Sequence, residues 1–175
     1  MEPVEINAGE YYLRQLRADD RLDDRPALVE AFADAEHQRF VLNYRLHDLD
    51  EAGRYVALRA CEWASGRRCS WAIAEPTTGR LLGEVGLKDL DPHNGTAEVA
   101  LWVHPSARRR GVGVTALNAA LRFGSGALGL REVNYLYHEG NVASAAVARR
   151  CGFQFLDTLV SSDGRKLLRC IRVTE

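Results

Sequence analysis

The sequence predicts an α+β fold in which helices cover both faces of a mixed, mostly antiparallel central sheet. Two observations predict this class. Strand-like segments follow one another through short turns in the middle and at the end of the chain, whereas helical patterns separate the strands elsewhere. The length of 175 residues, 46% of them hydrophobic, suits a single domain that spans residues 1–175 and has a buried core.

The first part of the chain is predicted to form one strand and then helices. Residues 11–17 alternate between apolar and polar side chains, which is typical of a strand. Residues 22–32 carry a helical pattern in which Pro26 fits the first turn, and residues 50–65 suit an amphipathic helix. Residues 36–49 are polar and ambiguous, so we expect a short helix or a loop beside a substrate cleft.

A meander of three strands is predicted next, at residues 69–74, 81–90 and 97–103, with turn signals between them. A helix then begins near Val114, because apolar residues recur on one of its faces. Its end is expected to be weakened by three glycines, at positions 124, 126 and 129. The remaining predicted elements are a strand at 132–137, a helix at 142–151, and strands at 153–160 and 166–173.

The segment Arg108-Arg109-Arg110-Gly111-Val112-Gly113 lies between the third strand of the meander and the helix that follows. The first N–H groups of a helix have no partner within the helix, and together with the helix dipole they favour anions. Glycine lets the backbone approach a phosphate closely, and arginine supplies charge and paired donors. The segment therefore predicts a diphosphate site; the alternative is a solvated surface turn. The spacing of its glycines does not fit a P-loop.

Composition limits the other classes of function. A net charge of −1 does not steer the molecule toward nucleic acid or membrane, and no segment holds 18 consecutive apolar residues. The four cysteines are scattered, so reduced thiols are expected, and the five histidines show no metal-ligand spacing, so no metal is expected. The first ten residues lack the apolar core of a signal peptide, and the cytoplasm is the expected compartment.

Two motifs resemble those of a known family. The pattern Arg-x-x-Gly-x-Gly at 108–113, after a strand and before a helix, resembles the acyl-CoA loop of the GNAT N-acetyltransferase superfamily. The block at 141–153 begins with Asn141, continues into a helix and closes with Gly-Phe, and it resembles the next GNAT motif. Ser144 is similar to the serine of the RimJ/RimL-like branch, which acetylates protein N-terminal amines and related small amines. Leu117 departs from that branch, where a Glu is often found.

The resemblance implies a GNAT-like fold, acetyl-CoA as co-substrate, and the primary amine of a peptide or small molecule as acceptor. It also implies that the backbone at Val103 pairs with the pantetheine arm, and that Asn141 holds this arm or the opening of the sheet. The alternatives are a plain strand end at Val103 and a helix N-cap at Asn141. The residues expected at the coenzyme are Val103, Arg108, Arg109, Arg110, Gly111, Val112, Gly113, Val114, Asn141 and Ser144.

Three residues are candidates for the chemistry of acetyl transfer. Glu98 is the first candidate for the base, because a lone carboxylate inside an apolar strand is costly to bury unless it is paired or functional. Burial would raise its pKa toward the range of a general base; the alternative is a partner for an arginine. Glu84 is a weaker candidate on the same argument, with a solvated or cleft-rim acid as the alternative. Ser144 is, by resemblance, the proton donor to the departing sulfur, or else it bonds at the helix start.

The sequence contains fewer features that identify the binding site of the amine acceptor. Trp102, Tyr135, Tyr137 and His138 either line an acceptor pocket or, for the tyrosines above all, pack in the core. We expect acceptor choice to lie in residues 36–49 and in the turn at 161–166. The sequence thus predicts an N-acetyltransferase that uses direct transfer in a ternary complex. The alternative is a non-catalytic acyl-CoA-binding sensor or partner module, and a homodimer through the last strands is a further expectation.

Overall fold

The computed structural model describes residues 1–174, which contain eight strands, five α-helices and a short 3₁₀ helix at Pro105–Ala107. The strands are β1 (Ile6–Asn7), β2 (Tyr12–Arg14), β3 (Arg68–Ala74), β4 (Leu81–Asp91), β5 (Thr96–Val103), β6 (Glu132–His138), β7 (Gln154–Val160) and β8 (Lys166–Val173). The helices are α1 (Arg25–Ala33), α2 (Ala35–Phe40), α3 (Leu49–Ala64), α4 (Val112–Ala127) and α5 (Val142–Arg150).

All eight strands belong to one sheet, in the order β1-β2-β3-β4-β5-β6-β8-β7. Neighbouring strands are antiparallel throughout, except for the parallel pair β5 and β6. A parallel pair needs a crossover connection, and α4 supplies it. The predicted class, a mixed and mostly antiparallel sheet with helices, is confirmed.

Helices pack against both faces of the sheet. One core lies under α4 and α5 and includes Val85, Val99 and Leu117; the other lies under α1 and the first half of α3 and includes Phe32 and Trp102. Every residue of β3 is buried, because both cores meet at this strand. That explains why its sequence is a nearly continuous apolar run and not an alternating one. None of the helices in residues 1–174 is long and apolar enough to cross a membrane.

The first predicted strand is shorter than expected, and the reason is an ion pair. β2 ends at Arg14, whose guanidinium donates to both oxygens of Asp24 at 2.7 and 2.8 Å. Asp24 also accepts the backbone N–H of Arg17 at 2.8 Å. These bonds draw the chain away from β3 toward the start of α1. The ambiguous segment 36–49 forms α2 and then a loop, and the two-residue strand β1 was not predicted.

Helix α4 continues through two of the three glycines that were expected to weaken it. A Cβ at Gly124 would lie 3.0 Å from side-chain atoms of both Leu130 and Leu87, which is closer than ordinary packing allows. Gly124 therefore permits α4 to approach β4 closely. Gly126 is also helical, whereas Gly129 has a φ of +64° and lies beyond the helix end.

Candidate active site

The parallel pair β5 and β6 stays together for only three residues. The paired positions run from Thr96↔Glu132 to Glu98↔Asn134. Beyond them, β5 remains paired with β4 up to Val103, and β6 remains paired with β8 up to His138. The two strands therefore separate into a wedge, and within residues 1–174 the backbone edges that face this wedge have no strand partner. Unpaired backbone groups of this kind can bind an extended polar ligand.

The first turn of α4 presents unpaired donors. Gly111 precedes the helix with a φ of +77°, a conformation that favours glycine. The first helical bond is donated by the N–H of Thr115 to the carbonyl of Gly111 at 3.0 Å. No atom of residues 1–174 accepts a hydrogen bond from the backbone N–H of Val112, Gly113 or Val114. Three outward amides and the positive end of the helix dipole make this turn suited to an anion.

This turn lies directly beside the wedge. A Cβ at Gly113 would lie 3.3 Å from Leu101 Cδ2 and 3.4 Å from Val103 Cγ2, on the separated half of β5. It would also lie 3.7 Å from Val147 Cγ2 of α5. The structure thus brings together the segments that the sequence assigned to the coenzyme: the end of β5, the start of α4 and the helix α5.

The three arginines before α4 differ in their surroundings. The guanidinium of Arg108 donates to Asp34 at 2.6 Å and to Glu36 at 2.9 Å, and so joins this turn to α2. Arg109, with a φ of +63°, and Arg110 have exposed side chains that bond to no residue of 1–174. The backbone of the turn is held in place by Tyr11, whose hydroxyl donates to the carbonyl of Arg110 at 3.0 Å. Two of the three predicted phosphate-binding side chains are therefore unengaged.

Asn141 is the N-cap of α5. Its side-chain oxygen accepts the backbone N–H of Ser144 at 3.0 Å, so the cap is Asn141, and the Ser144 hydroxyl is not needed for it. Ser144 is half-buried and close to the phenol of Tyr135 on β6. Burial raises the pKa of Tyr135 to about 12, although the hydroxyl of Ser144 opposes part of this rise. Tyr135 therefore stays protonated at neutral pH and can exchange a hydrogen bond with Ser144.

Glu98 lies at the last paired position before β5 and β6 separate. Its carboxylate accepts a hydrogen bond from Lys88 Nζ at 2.6 Å, and its side chain is 24% exposed. The expectation that Glu98 is buried is therefore wrong, and its partner is a lysine on β4. Burial alone would lower the pKa of Lys88, but the bond to Glu98 raises it above its usual value. Glu98 also lines a cavity of about 250 Å³, together with Asn134, Arg169 and other residues of the neighbouring strands.

Glu84 is 1% exposed, and both of its oxygens are fully engaged. Arg59 and Arg68 donate to one oxygen at 3.1 and 3.2 Å; Tyr55 and Trp102 donate to the other at 2.5 and 3.2 Å. Burial alone would raise the pKa of Glu84, but the two guanidinium groups and the two hydrogen bonds hold it below its usual range. A carboxylate so strongly held in its charged form is a poor base, and this environment favours a structural role.

The two segments expected to select the acceptor meet in the structure. Arg165, in the turn before β8, donates to the carbonyl of Arg39 in α2 at 3.1 Å. Between them is a cavity of about 210 Å³, whose lining residues are Arg39, Phe40, His138, Glu139, Arg165 and Lys166. His138 thus lines a pocket, which was one of the two alternatives for this residue; the other was packing in the core.

The other three aromatic residues pack in the cores. Tyr135 and Tyr137 lie under α5, with ring centroids 5.6 Å apart. Trp102 packs against Phe32 and His37, with centroids 5.6 and 5.5 Å away. Burial lowers the pKa of His37 to about 4, and its Nε2 atom is buried without a hydrogen-bond partner in residues 1–174. Sequence reasoning gave no role to His37, since nothing in its neighbours marks it as buried.

No three His, Cys, Asp or Glu side chains of the described residues group as a metal site.

The sequence matches the family model of the acetyltransferase (GNAT) domain over residues 12–154, which is most of its length. The chain belongs to this family, and the predicted superfamily and the class of enzyme, an acetyltransferase, are confirmed. A search of curated proteins finds no match.

Solved structures share the fold at low sequence identity. RimL, the ribosomal L7/L12 alpha-N-protein acetyltransferase, in complex with coenzyme A, has a TM-score of 0.84 at 20% identity, over 97% of this chain and 98% of its own. The microcin C7 self-immunity acetyltransferase MccE, in complex with acetyl-CoA and AMP, has a TM-score of 0.83 at 17% identity, over 99% and 98%. The spermidine N-acetyltransferase of Vibrio cholerae, in complex with coenzyme A and spermine, has a TM-score of 0.77 at 16% identity, over 94% and 95%.

Proposed function

We propose that this protein transfers an acetyl group from acetyl-CoA to the primary amine of a peptide N-terminus or a small molecule. The observation that carries the proposal is the set of unpaired amides at Val112, Gly113 and Val114, next to the wedge between β5 and β6. The amides suit a diphosphate, and the wedge suits an extended arm with amide groups of its own. Coenzyme A has both of these parts in this order.

The residues fit this co-substrate. The amides of α4 would bind the diphosphate, with Arg109 and Arg110 free to add charge from the surface. The free edge of β5 at Val103 would pair with the amides of the pantetheine arm. Bound acetyl-CoA would supply the activated acetyl thioester. The protein would position the acceptor and assist the transfer of protons. Positioning of this kind contributes much of the rate in acyl transfer.

The transfer requires two proton movements that the protein can assist. The amine nitrogen forms a bond to the acetyl carbon, the carbon–sulfur bond breaks, one proton leaves the nitrogen and one proton is taken up by the sulfur. Glu98 would accept the amine proton through a water molecule, because its carboxylate opens into the cavity on the face opposite α4. Ser144 would pass its hydroxyl proton to the sulfur, and its oxygen, beside the phenol of Tyr135, would take a proton back from water.

The proposed acceptor class, protein N-terminal amines and related small amines, is that of the RimJ/RimL-like branch. Ser144 and the fold shared with RimL support membership of this branch. The fold is also shared with an enzyme whose name gives spermidine as its substrate, so small amines belong in the same proposal. The direct route, in which no residue of the protein is acetylated, needs both substrates to be bound together. The wedge and the cavity at Glu98 adjoin each other and make this arrangement feasible.

The test has two measurements on the purified protein. Calorimetry with coenzyme A should give a heat of association, and thiol release from acetyl-CoA should appear with some members of a panel of peptides and small amines. No heat of association would contradict the diphosphate site. Association without thiol release for any amine would support the alternative, an acyl-CoA-binding module without activity.

The variant Glu98→Gln tests the base. We expect kcat/KM to fall by about tenfold to a hundredfold at low pH, where removal of the amine proton limits the rate, and to fall less at high pH. Asp23→Asn is the matched control, since it replaces another partly exposed, ion-paired carboxylate, which bonds to Arg25 at 2.8 Å. A pH–rate profile identical to that of the unaltered protein would remove Glu98 from this role.

A further inference from the structure

We propose that the amine acceptor carries a carboxylate and that the cavity of about 210 Å³ between α2 and the turn before β8 binds this group. We call this cavity the α2 pocket; its six lining residues are given above. The inference rests on the proposed function and adds the chemical class of the acceptor. It follows from four observations: the position of the pocket, its charge, the free guanidinium of Arg39, and one buried ring nitrogen without a partner.

The α2 pocket lies at the mouth of the wedge, on the face away from α4. His138 shares its face of β6 with Asn134 and Leu136, because alternate residues of a strand point the same way, and Tyr135 points to the opposite face under α5. His138 is also the residue whose carbonyl accepts the N–H of Asn141 at 3.0 Å. An acceptor that enters from this face would approach the wedge from the side opposite α4.

The charge of the α2 pocket is positive. Its lining holds three cations (Arg39, Arg165 and Lys166) and one anion (Glu139), which gives +2 with a neutral His138. Arg165 is paired with a carboxylate next to the pocket, Asp163, at 2.7 Å, which leaves +1. The pair of Lys166 with Glu139 is loose, at 3.9 Å, with both side chains about 60% exposed.

Arg39 is the cation best placed to bind an anionic group. Its guanidinium lies 5.1 Å from the ring centroid of Phe40, and no carboxylate of residues 1–174 lies within 4.0 Å of it. The guanidinium of this exposed arginine is oriented only weakly by the ring, and its five donors are free. It can therefore bind both oxygens of a carboxylate at once.

The fourth observation is the Nδ1 atom of His138, which is buried and has no hydrogen-bond partner in the described residues. Buried polar atoms are nearly always paired, so this atom leaves one hydrogen bond that a bound water or ligand can make. Burial, followed by the charge of Arg165, lowers the pKa of His138, so its ring is neutral at pH 7. A neutral ring with its proton on Nδ1 donates one hydrogen bond, which a carboxylate oxygen accepts.

The pocket is large enough for a carboxylate and a short side chain, given that a water molecule occupies about 30 Å³. Two sources of that group are a free amino acid and an acidic residue near the N-terminus of a peptide. Acceptors in matched pairs separate them: an amino acid against its carboxamide, and a short peptide with Asp against the same peptide with Asn. The readout is kcat/KM for thiol release from acetyl-CoA.

We expect the carboxylate member of at least one pair to exceed its amide partner by about two- to fivefold, the size of effect that one partly exposed ion pair gives. Arg39→Gln should bring that ratio close to one. Arg54→Gln is the control, because Arg54 is an exposed arginine on α3 with no bonded partner in residues 1–174, and it should leave the ratio unchanged. Arg39 is exposed, so its replacement is not expected to prevent folding.

Equal kcat/KM for both members of every pair would overturn the inference and leave acetyl transfer intact. A carboxylate preference that survives Arg39→Gln undiminished would overturn the assignment of the α2 pocket. Absence of thiol release with every amine, despite a heat of association with coenzyme A, would overturn the proposed function and this inference with it.

Discussion

Replacing the buried carboxylate of Glu84 with an amide should destabilise the fold strongly. Glu84 accepts hydrogen bonds from two guanidinium groups, Arg59 and Arg68, and from the side chains of Tyr55 and Trp102. These partners belong to α3, β3 and β5, so one side chain on β4 connects four elements. Glu84→Gln keeps the shape but removes the charge, and it leaves the guanidinium groups without their shared carboxylate. Breaking a buried ion pair from one side costs about 3 to 5 kcal/mol.

The lower end of this range is the better expectation, because Arg59 retains a second carboxylate, Glu62, at 2.6 Å. Urea unfolding at pH 7, followed by circular dichroism, measures the free energy of unfolding. Asp157→Asn is the control: Asp157 pairs with Arg169 at 2.5 Å with both side chains at least one third exposed, and its loss should cost about 1 kcal/mol or less. A loss for Glu84→Gln no larger than that of the control would refute the reasoning.

The same variant tests how the free energy of unfolding depends on pH. The pKa of Glu84 is lower in the folded state than in the unfolded chain, where it is about 4.3. The stability that its charge contributes is therefore complete above that value and is lost as the pH falls through the folded pKa. We expect the difference in unfolding free energy between the unaltered protein and Glu84→Gln to be constant from pH 7 to 5 and to shrink below pH 4. A difference that does not shrink in acid would show that the charge of Glu84 is not its source.

Three other predictions concern single positions. Gly83→Ala should lower the free energy of unfolding by about 1 to 3 kcal/mol, because its Cβ would overlap the carbonyl oxygen of Trp102. Gly126→Ala should raise it by about 0.5 to 1 kcal/mol in the same urea assay, because this helical position has open space around it. His37, with a pKa near 4 when folded and 6.5 as its ordinary value, should make stability fall between pH 6.5 and 4 by on the order of 3 kcal/mol. Thermal melts of His37→Phe should show that slope flattened.

Local sequence signals predicted most of the elements. The last strand, 166–173, agrees at both ends with β8, and the turn at 108–113 does lead into a helix with free amides. These features depend on alternation, on helical spacing and on glycine, all of which act within a few neighbouring residues. The Gly124 packing against Leu130 and Leu87 shows the limit of such signals: the glycine looks like a helix breaker until its neighbours in space are known.

The environments of the acids could not be predicted, because they depend on strand register. Lys88 faces Glu98 only because β4 and β5 pair in the register Lys88↔Glu98. Glu84 meets its four partners only once α3 has packed over the sheet. The wedge between β5 and β6 could not be predicted from the sequence either. An alternating strand has the same sequence pattern whether or not its neighbour stays paired along its length.

The structure explains how β5 can be firmly held and still offer a free edge. Along its other edge β5 is paired with β4 from Thr96 to Val103, and the Glu84 network ties Trp102 to that strand. Such support lets the unpaired edge keep its geometry before any ligand binds, and preorganisation of this kind is what makes positioning effective. The short helix α2 connects the two rims of the wedge: Arg108 bonds to Asp34 and Glu36 at its start, and Arg165 bonds to a carbonyl near its end. Since α2 touches both the turn before α4 and the α2 pocket, the two proposed sites share this helix, and a substitution that displaces it should weaken coenzyme binding and acceptor selection together.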